Sequence, residues 1–149
     1  MRSPNTLEDG RGGVEMKTAP TPETSARMRR VRQCRTSQET AVCKLLGEIG
    51  ARFRINVSGL PGTPDIANKI RRRAIFVHGC FWHGHDCRRG TIPKTNRDWW
   101  LQKLADNAAR DRRKLEALSV LGYRVLTVWQ CQLDDRPRLK QQLRRFWVR

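Results

Sequence analysis

Ten consecutive residues, numbers 78–87, contain all three histidines of the chain, two of its five cysteines and two large aromatic side chains. Thiolate and imidazole groups are the ligands that zinc prefers. Phe81 and Trp82 are of the kind that DNA-binding proteins insert between bases. Metal-ligand chemistry and base-stacking chemistry therefore lie side by side in one short segment, and any fold that this chain adopts has to accommodate both.

The charge of the chain favours a polyanionic partner. The net charge is +17 over 149 residues; residues 1–25 hold three basic and four acidic side chains, a net of −1, which leaves +18 for residues 26–149. A domain this basic attracts phosphate backbones and binds them in a salt-dependent way. A cationic surface that serves only solubility is the alternative.

Length and composition predict a single domain. Hydrophobic residues make up 38% of the chain, enough for one core. Residues 1–25 are rich in Gly, Pro, Thr, Ser and Glu and cannot bury enough apolar surface to order themselves. We therefore expect a disordered lead over residues 1–25 and one folded domain over residues 26–149.

The sequence also predicts a compartment. No stretch approaches the roughly 18 uninterrupted apolar residues of a membrane span, and the amino terminus lacks the charged-then-apolar pattern of a secretion signal. We expect an intracellular protein without membrane contact. In a reducing compartment, five cysteines favour metal ligation over a disulfide framework. Cys34 and Cys43 lie far from the histidines in the sequence and are expected to take no part.

Hydrophobic periodicity and turn residues predict an α/β domain with a mixed sheet covered on both faces. Residues 36–39 have the spacing of a capping box, which begins a helix that stops at Gly50. The long helix after it should place Trp100, Leu104, Asn107, Asp111 and Leu118 on one stripe. The other predicted elements, in chain order, are a half-buried strand over residues 53–57, a turn over 60–64, a buried strand over 74–77, that long helix from a cap at Asn96 to Leu121 with Gly122 as its stop, a buried strand over 125–129, and a basic helix starting within 134–137 and running to Trp147.

Four side chains form a candidate zinc site. Cys80, His85 and Cys87 lie on one loop, and Cys131 leaves the end of the last predicted strand as a fourth ligand. Three thiolates and one imidazole would complete a tetrahedron and leave no position for a catalytic water, so this zinc would be structural. The spacing is not that of a common zinc finger, and buried free cysteines beside hydrogen-bonded histidines are the alternative.

If that zinc is structural, catalysis has to come from other residues. Asp65 follows Pro64 at the start of a predicted strand, a setting in which many nucleases direct a carboxylate at magnesium. Taken alone, a Pro-Asp pair is more often an ordinary turn. His83 lies between two zinc ligands without being needed as one, so its imidazole is free to act as a general base on water. A solvent-exposed loop histidine is the alternative.

At this point the sequence resembles a known family, the very short patch repair (Vsr) DNA mismatch endonucleases, which have the restriction-endonuclease-like fold. The matching blocks occur in the family's order at compatible spacing, from about Met28 to Cys131. They are Leu60-Pro61-Gly62-x-Pro64-Asp65, Ile75-Phe76-Val77-His78-Gly79-Cys80-Phe81-Trp82-His83, Asn107-x3-Asp111-Arg112-Arg113, and Leu121-Gly122-Tyr123-Arg124-Val125-Leu126 with Val128-Trp129-x-Cys131.

The resemblance implies a strand-specific nick immediately 5′ of the thymine in a T:G mismatch, the lesion left when 5-methylcytosine deaminates. By position, Asp65 and the backbone carbonyl of Val77 would bind catalytic Mg²⁺, with His83 activating the attacking water. Asp111 would orient His83. The matching positions also imply supporting roles near the metal and phosphate for His78 and Glu39, although a capping-box glutamate explains itself.

The resemblance also implies which residues insert into the DNA. Phe81, Trp82 and Trp100 match a wedge that enters the major groove beside the T:G pair, and Met28 matches a residue inserted from the minor groove. For Trp100, burial in the core is an equal alternative. The implied setting is double-stranded DNA in the bacterial cytoplasm, bound by a monomer, with mismatch-repair proteins as candidate partners.

Several positions depart from the family's pattern, and two other functional classes stay open. The second acid followed by x-Lys of restriction-type enzymes is absent after Asp65. Val77 occupies a position where Thr is also found, and this change should be tolerated because the expected metal ligand there is the backbone carbonyl. Thr63 replaces a residue that is often basic. Gly84 and Asp86 replace residues of a run that is usually rich in histidine. The alternatives are a zinc-containing DNA-binding module without catalysis and an ordinary restriction endonuclease that acts as a dimer.

Overall fold

A computed structural model of the chain describes residues 36–148. The predicted disordered lead over residues 1–25, the predicted minor-groove residue Met28 and the bystander Cys34 lie outside the described residues. Two 3₁₀ turns, Arg88–Gly90 and Gln130–Asp134, follow the third and fourth strands. The helices and strands are α1 Ser37–Glu48, β1 Arg54–Ile55, β2 Ile66–Asn68, β3 Arg73–His78, α2 Arg97–Val120, β4 Arg124–Trp129 and α3 Arg136–Val148.

The four strands form one mixed sheet in the order β1-β2-β3-β4. β1 and β3 are antiparallel to β2, whereas β3 and β4 are parallel and are connected through α2. In the register of the parallel pair, His78 lies opposite Trp129. The segment that follows β3 and the turn that contains Cys131 therefore begin at the same end of the sheet, where both strands finish.

Helices cover both faces of this sheet, as predicted. α1 and α3 pack on one face against Ile66, Ile75 and Val128. α2 packs on the other face, where Leu118 meets Phe76. Neighbouring residues of β3 alternate between the two cores because successive side chains of a strand point to opposite faces. The predicted mixed α/β architecture is confirmed.

Local sequence signals account for three of the six ends of the α-helices. The Glu39 amide donates to Thr36 Oγ1 (3.2 Å) at the start of α1. Gly50 (φ +71°) and Gly122 (φ +77°) take the left-handed backbone conformation just after α1 and α2, where glycine is favoured. Asn96 is the N-cap residue of α2, as predicted, but its backbone lies in the left-handed region and its side chain makes no capping hydrogen bond.

Two strand predictions need correction. The strand predicted over 53–57 is reduced to two exposed residues, and Ile55 is 39% exposed. Asn56 has φ +48°, which breaks the alternation and lets Phe53 and Val57 pack into different cores. β4 occupies its predicted position but forms an edge of the sheet, so only Val128 is fully buried.

The stripe predicted along α2 is present, with Leu104 and Leu118 buried and Trp100, Asn107 and Asp111 half-buried. Within residues 36–148, no helix has both the length and the apolar run that a membrane crossing requires.

Candidate active site

The four predicted zinc ligands converge where β3 and β4 end. The ligand atoms of Cys80, His85, Cys87 and Cys131 all lie within 4.8 Å of one another. Cys131 Sγ is 3.6 Å from His85 Nδ1. A tetrahedral zinc with Zn–S bonds near 2.3 Å places two sulfur ligands about 3.8 Å apart. The donor set and its spacing therefore fit zinc with only small adjustments.

Neighbouring groups hold these ligands in place. The Cys131 amide donates to Cys80 Sγ (3.4 Å), and the His85 ring stacks on Trp129 with 4.3 Å between centroids. Arg89 donates to both carboxylate oxygens of Asp134 (2.6 and 2.8 Å), which ties the loop to the turn after β4. These contacts orient the ligands, as hydrogen bonds around metal centres do generally.

Two of the thiols differ in their readiness to ionise. Burial raises the pKa of Cys80 to about 11. Partial burial also opposes ionisation of Cys87, but hydrogen bonds from His85 and from the Arg89 amide outweigh it and lower the pKa of Cys87 to about 7. Because the thiolate is the metal-binding form, Cys87 is prepared to bind a cation near neutral pH.

A histidine–aspartate pair lies beside this group. An ionised carboxylate only accepts hydrogen bonds, so His83 Nδ1–H donates to Asp111 Oδ2, at 2.5 Å. This tautomer leaves His83 Nε2 as a proton acceptor. The side chains are 25% and 14% exposed, respectively. A half-buried imidazole held by a carboxylate is the arrangement of an oriented general base.

His78 packs behind His83. Their rings are parallel, with centroids 3.7 Å apart and an interplanar angle of 5°. Burial and the nearby His83 lower the pKa of His78 to about 4, so His78 is neutral at physiological pH. His78, His83 and Asp111 are near enough to share a metal. However, the lone pairs of two parallel stacked rings point in parallel planes and do not converge on one point. His83 Nδ1 is also already bonded to Asp111, so we assign no metal to this group.

Asp65 is held at the start of β2 by the neighbouring strand. Its Oδ2 accepts a hydrogen bond from the Val77 amide at 2.7 Å. A strand residue directs its N–H and its C=O to the same side, so the Val77 carbonyl lies on the side of the Asp65 carboxylate. Burial, opposed by that hydrogen bond and reinforced by the charge of Glu39, raises the pKa of Asp65 to about 6. A cation bound there would relieve the cost of ionising this carboxyl.

Glu39 faces the same space as Asp65. Both residues line a pocket of about 280 Å³, together with Thr40, Cys43, Phe53, Ile55 and Asn56. The Glu39 residue is only 8% exposed, and the capping bond uses its backbone amide alone. Helix capping therefore does not account for the buried carboxylate. Cys43 does not belong to the zinc group, as predicted, but it does line this pocket.

The aromatic side chains predicted as a wedge contact one another. Phe81 lies 5.1 Å from the ring centroids of both Trp82 and Trp100, and Trp82 and Trp100 are 6.1 Å apart. All three are half-buried and none belongs to either core. The Asn107 amide donates to the Trp82 carbonyl (2.8 Å), which fastens this segment to α2. Trp100 thus packs in a surface aromatic cluster and not in the core.

Two residues near the site were missed from the sequence. Trp99 joins the aromatic cluster at 4.8 Å from Trp100, and Lys103 lies over its ring at 5.5 Å. Lys114 lies 3.6 Å from Asp111 Oδ1, one helical turn further along α2. Their signals were the Trp-Trp pair itself and the i, i+3 spacing of Asp111 and Lys114, which is typical of a helical ion pair.

One end of the mixed sheet thus carries the carboxylates of Asp65 and Glu39, a histidine–aspartate pair, a cysteine–histidine group and partly exposed aromatic rings. On an α/β fold, this combination of side chains suits the class of metal-dependent nucleases. A family model described as DNA mismatch endonuclease Vsr matches residues 19–89. The chain belongs to the Vsr family of endonucleases, as the resemblance in its sequence indicated.

Comparisons with individual proteins agree with this assignment. The chain is 52% identical to the type II nicking enzyme V.XorIIP of Xanthomonas oryzae pv. oryzae over 117 residues, 78% of this chain and 86% of that protein. It is 41% identical to the DNA mismatch endonuclease Vsr of Escherichia coli (strain K12) over 118 residues, 79% of this chain and 76% of that protein. It is 37% identical to the type II nicking enzyme V.NmeAIP of Neisseria meningitidis over 119 residues, 80% and 85% of the two chains.

Proposed function

We propose that this chain is a magnesium-dependent endonuclease that nicks one DNA strand immediately 5′ of the thymine in a T:G mismatch arising from 5-methylcytosine deamination. The observation that carries the proposal is the 2.5 Å hydrogen bond between His83 and Asp111. It lies at the end of the sheet that also presents the half-buried carboxylate of Asp65. Family membership supports cleavage of DNA; the T:G specificity is our proposal.

His83 is the general base. With Nδ1–H donated to Asp111, its Nε2 accepts the proton of the attacking water, and Asp111 stabilises the imidazolium that forms. His78 stays neutral and restricts rotation of the His83 ring by stacking on it. The two histidines therefore have different roles. His83 is hydrogen-bonded to a carboxylate and acts as the base, whereas His78 is bonded to none among the described residues and only supports the ring of His83.

Asp65 and the carbonyl of Val77 would hold the catalytic Mg²⁺, with Glu39 contributing negative charge from the shared pocket. Bound Mg²⁺ would supply Lewis-acid stabilisation of the negative charge that develops on the phosphate. The Val77 amide fixes the Asp65 carboxylate in position. Oxygen donors of this kind suit magnesium, whereas the sulfur-rich group nearby suits zinc.

Zinc bound by Cys80, His85, Cys87 and Cys131 would serve as a structural link between the loop after β3 and the turn after β4. Four protein ligands leave no open position. The zinc would hold the loop that carries His83 without contacting the substrate.

Phe81, Trp82 and Trp100 form the wedge that enters the DNA stack beside the mismatch. Unstacking costs a few kcal/mol per base step and less at a mismatch, so a wedge favours the T:G pair. The net charge of +17 supports binding of the backbone. We further propose that the protein acts as a monomer on double-stranded DNA in the cytoplasm, with Met28 as the minor-groove residue and with mismatch-repair proteins as partners.

A strand-resolved cleavage assay tests this function. A T:G duplex with a different label on each strand should give one cut, 5′ of the thymine, only when Mg²⁺ is present. His83→Gln and Asp111→Asn should each lower the rate by roughly 10²-fold or more, the scale of a lost general base. Asp106→Asn is the matched control, because Asp106 is exposed on the same helix and bonds only to Gln102 among the described residues.

The other outcomes of the assay separate the alternatives. Equal cutting of matched and T:G duplexes would refute mismatch specificity. Cuts in both strands of a palindrome, with second-order dependence on protein, would indicate a dimeric restriction endonuclease. Tight binding without cleavage at any Mg²⁺ concentration would indicate a DNA-binding module.

A further inference from the structure

Lys114 completes a chain of contacts that ends at the proposed base. Its Nζ lies 3.6 Å from Asp111 Oδ1, while His83 Nδ1–H donates to Asp111 Oδ2 at 2.5 Å. The two oxygens of one carboxylate are thus held by different partners. The His83 hydrogen bond and the Lys114 ion pair together restrict rotation of this carboxylate, so Lys114 lies where it can influence the direction from which Asp111 holds the imidazole.

The stem of Lys114 is held against the turn that leads into Asp65. Gly62 in that turn has φ +73°, and a Cβ built on it would lie 2.5 Å from Lys114 Cγ and 2.8 Å from both Cβ and Cδ. Such distances leave no room for any side chain at this position. The close packing of Lys114 on the Gly62 backbone therefore connects the turn before Asp65 to the helix that carries Asp111.

The charge of Lys114 also reaches the centre of the site. Burial is the main cause of the raised pKa of Asp65 and of the lowered pKa of His78, and the Lys114 ammonium group makes a smaller contribution that lowers both pKa values. The Lys114 side chain is 39% exposed, so its charge is only partly screened by solvent. The group is therefore more than a surface lysine paired with its helical neighbour.

We infer that Lys114 is a positioning residue of the nuclease centre, which pairs with the Asp111 oxygen that His83 does not use and so keeps the imidazole aimed at the reacting water. The role in nicking rests on the proposed function; the role in holding the Asp111–His83 pair does not.

The test compares Lys114→Met, which keeps the stem and removes the charge, with Lys114→Arg, which restores a cation. Lys44→Met is the matched control, because it removes the same charge from an exposed position on α1. Three measurements are made: the single-turnover nicking rate at saturating T:G duplex, the affinity for that duplex as a function of salt, and the imidazole N–H proton signals of the free protein by NMR. Asp111→Asn identifies the signal of the His83 Nδ1 proton.

We expect Lys114→Met to nick about tenfold more slowly, the scale for losing a group that orients a functional side chain, with duplex affinity unchanged. The His83 Nδ1 proton signal should move or broaden in Lys114→Met and return in Lys114→Arg. Lys44→Met should behave as the wild type in all three measurements.

Two results would overturn the inference. One is a wild-type rate and an unmoved Nδ1 proton signal in Lys114→Met. The other is weaker binding with a salt slope reduced by about 0.9, the effect of one lost phosphate contact, at an unchanged single-turnover rate. If the wild type nicks no T:G duplex, the proposed function fails, and the proton signal of the free protein still decides whether Lys114 positions Asp111.

Discussion

Replacing Asp65 by Asn should stabilise the magnesium-free protein while abolishing nicking. An asparagine oxygen can accept the hydrogen bond from the Val77 amide as the carboxylate does, so the local packing is retained. Asparagine carries no charge, and the cost of ionising a carboxyl at this half-buried position disappears. The residue proposed to bind the catalytic metal is therefore expected to lower the stability of the metal-free fold.

The sign and size of the expected change in the free energy of unfolding follow from the pKa of Asp65, which is raised from 3.8 to about 6. Between these pH values the folded protein binds one proton more than the unfolded chain, so stability falls as the pH rises. At about 1.4 kcal/mol for each pH unit, the loss reaches roughly 3 kcal/mol above pH 6. Below about pH 4 both states are protonated, and the electrostatic advantage of Asp65→Asn vanishes.

Urea unfolding of the wild type and Asp65→Asn, at pH 4 and pH 8 in magnesium-free buffer without chelator, measures this difference. Comparing the two proteins at each pH cancels the titration of His78 and of the other groups that they share. Asp106→Asn, at an exposed position, should change the free energy of unfolding by no more than about 0.5 kcal/mol at either pH. Added Mg²⁺ should stabilise the wild type and not Asp65→Asn, because only a ligand bound to the folded state shifts the equilibrium.

A stability difference between the wild type and Asp65→Asn that is the same at both pH values would refute this reasoning. So would a variant that is less stable than the wild type at pH 8. Either result would mean that the ionised Asp65 is fully compensated by neighbouring charges and hydrogen bonds in the absence of metal.

Three further predictions concern other parts of the site. The purified protein should contain one zinc per chain by elemental analysis, and Cys131→Ser should lose it and several kcal/mol of stability; a metal-free protein of full stability would exclude the structural zinc. Trp82→Ala should weaken T:G binding by about 1–3 kcal/mol at an unchanged melting temperature, because Trp82 belongs to neither core; an equal loss on matched duplex would argue against a role in mismatch recognition. His78 has its pKa lowered from 6.5 to about 4, so it costs stability as the pH falls through that range, by up to roughly 3 kcal/mol. Urea unfolding at pH 7 and pH 4.5 should show a smaller acid loss for His78→Asn, and an undiminished loss would contradict the burial argument.

Local chemistry made the helices predictable, and tertiary context limited the prediction of strands. Thr36 and Gly122 mark helix ends through interactions within a few residues, so their effect is visible in the sequence. The alternation over 53–57 looked like a strand, yet the left-handed Asn56 sends Phe53 and Val57 to opposite cores. Whether a short apolar alternation lies within a sheet or at its edge depends on partners that are distant in the sequence.

The sequence and the resemblance predicted which side chains belong to the site, but the contact between Lys114 and Gly62 became visible only in the fold. The pairing of Cys131 with the loop after β3 follows from the parallel register of β3 and β4, and the resemblance already implied that Asp111 meets His83. Lys114 could not be placed from the sequence, because its contact with Gly62 joins a turn and a helix about fifty residues apart. The i, i+3 spacing of Asp111 and Lys114 indicates an ion pair on a helix, but nothing in the sequence connects that lysine to Gly62.

The order of residues 78–87 explains how one segment can serve metal binding, stacking and catalysis together. His78 ends β3 opposite Trp129, and Cys80 is fully buried two residues later, so the first residues of the segment are fixed by the sheet. His83 is then held from two sides, by the ring of His78 and by Asp111. Two of the four proposed zinc ligands, His85 and Cys87, then follow the proposed general base, whereas Cys80 precedes it. Under the proposed function, removal of zinc should therefore release the second half of the segment first, and any loss of nicking should accompany loosening of the contact between His83 and Asp111.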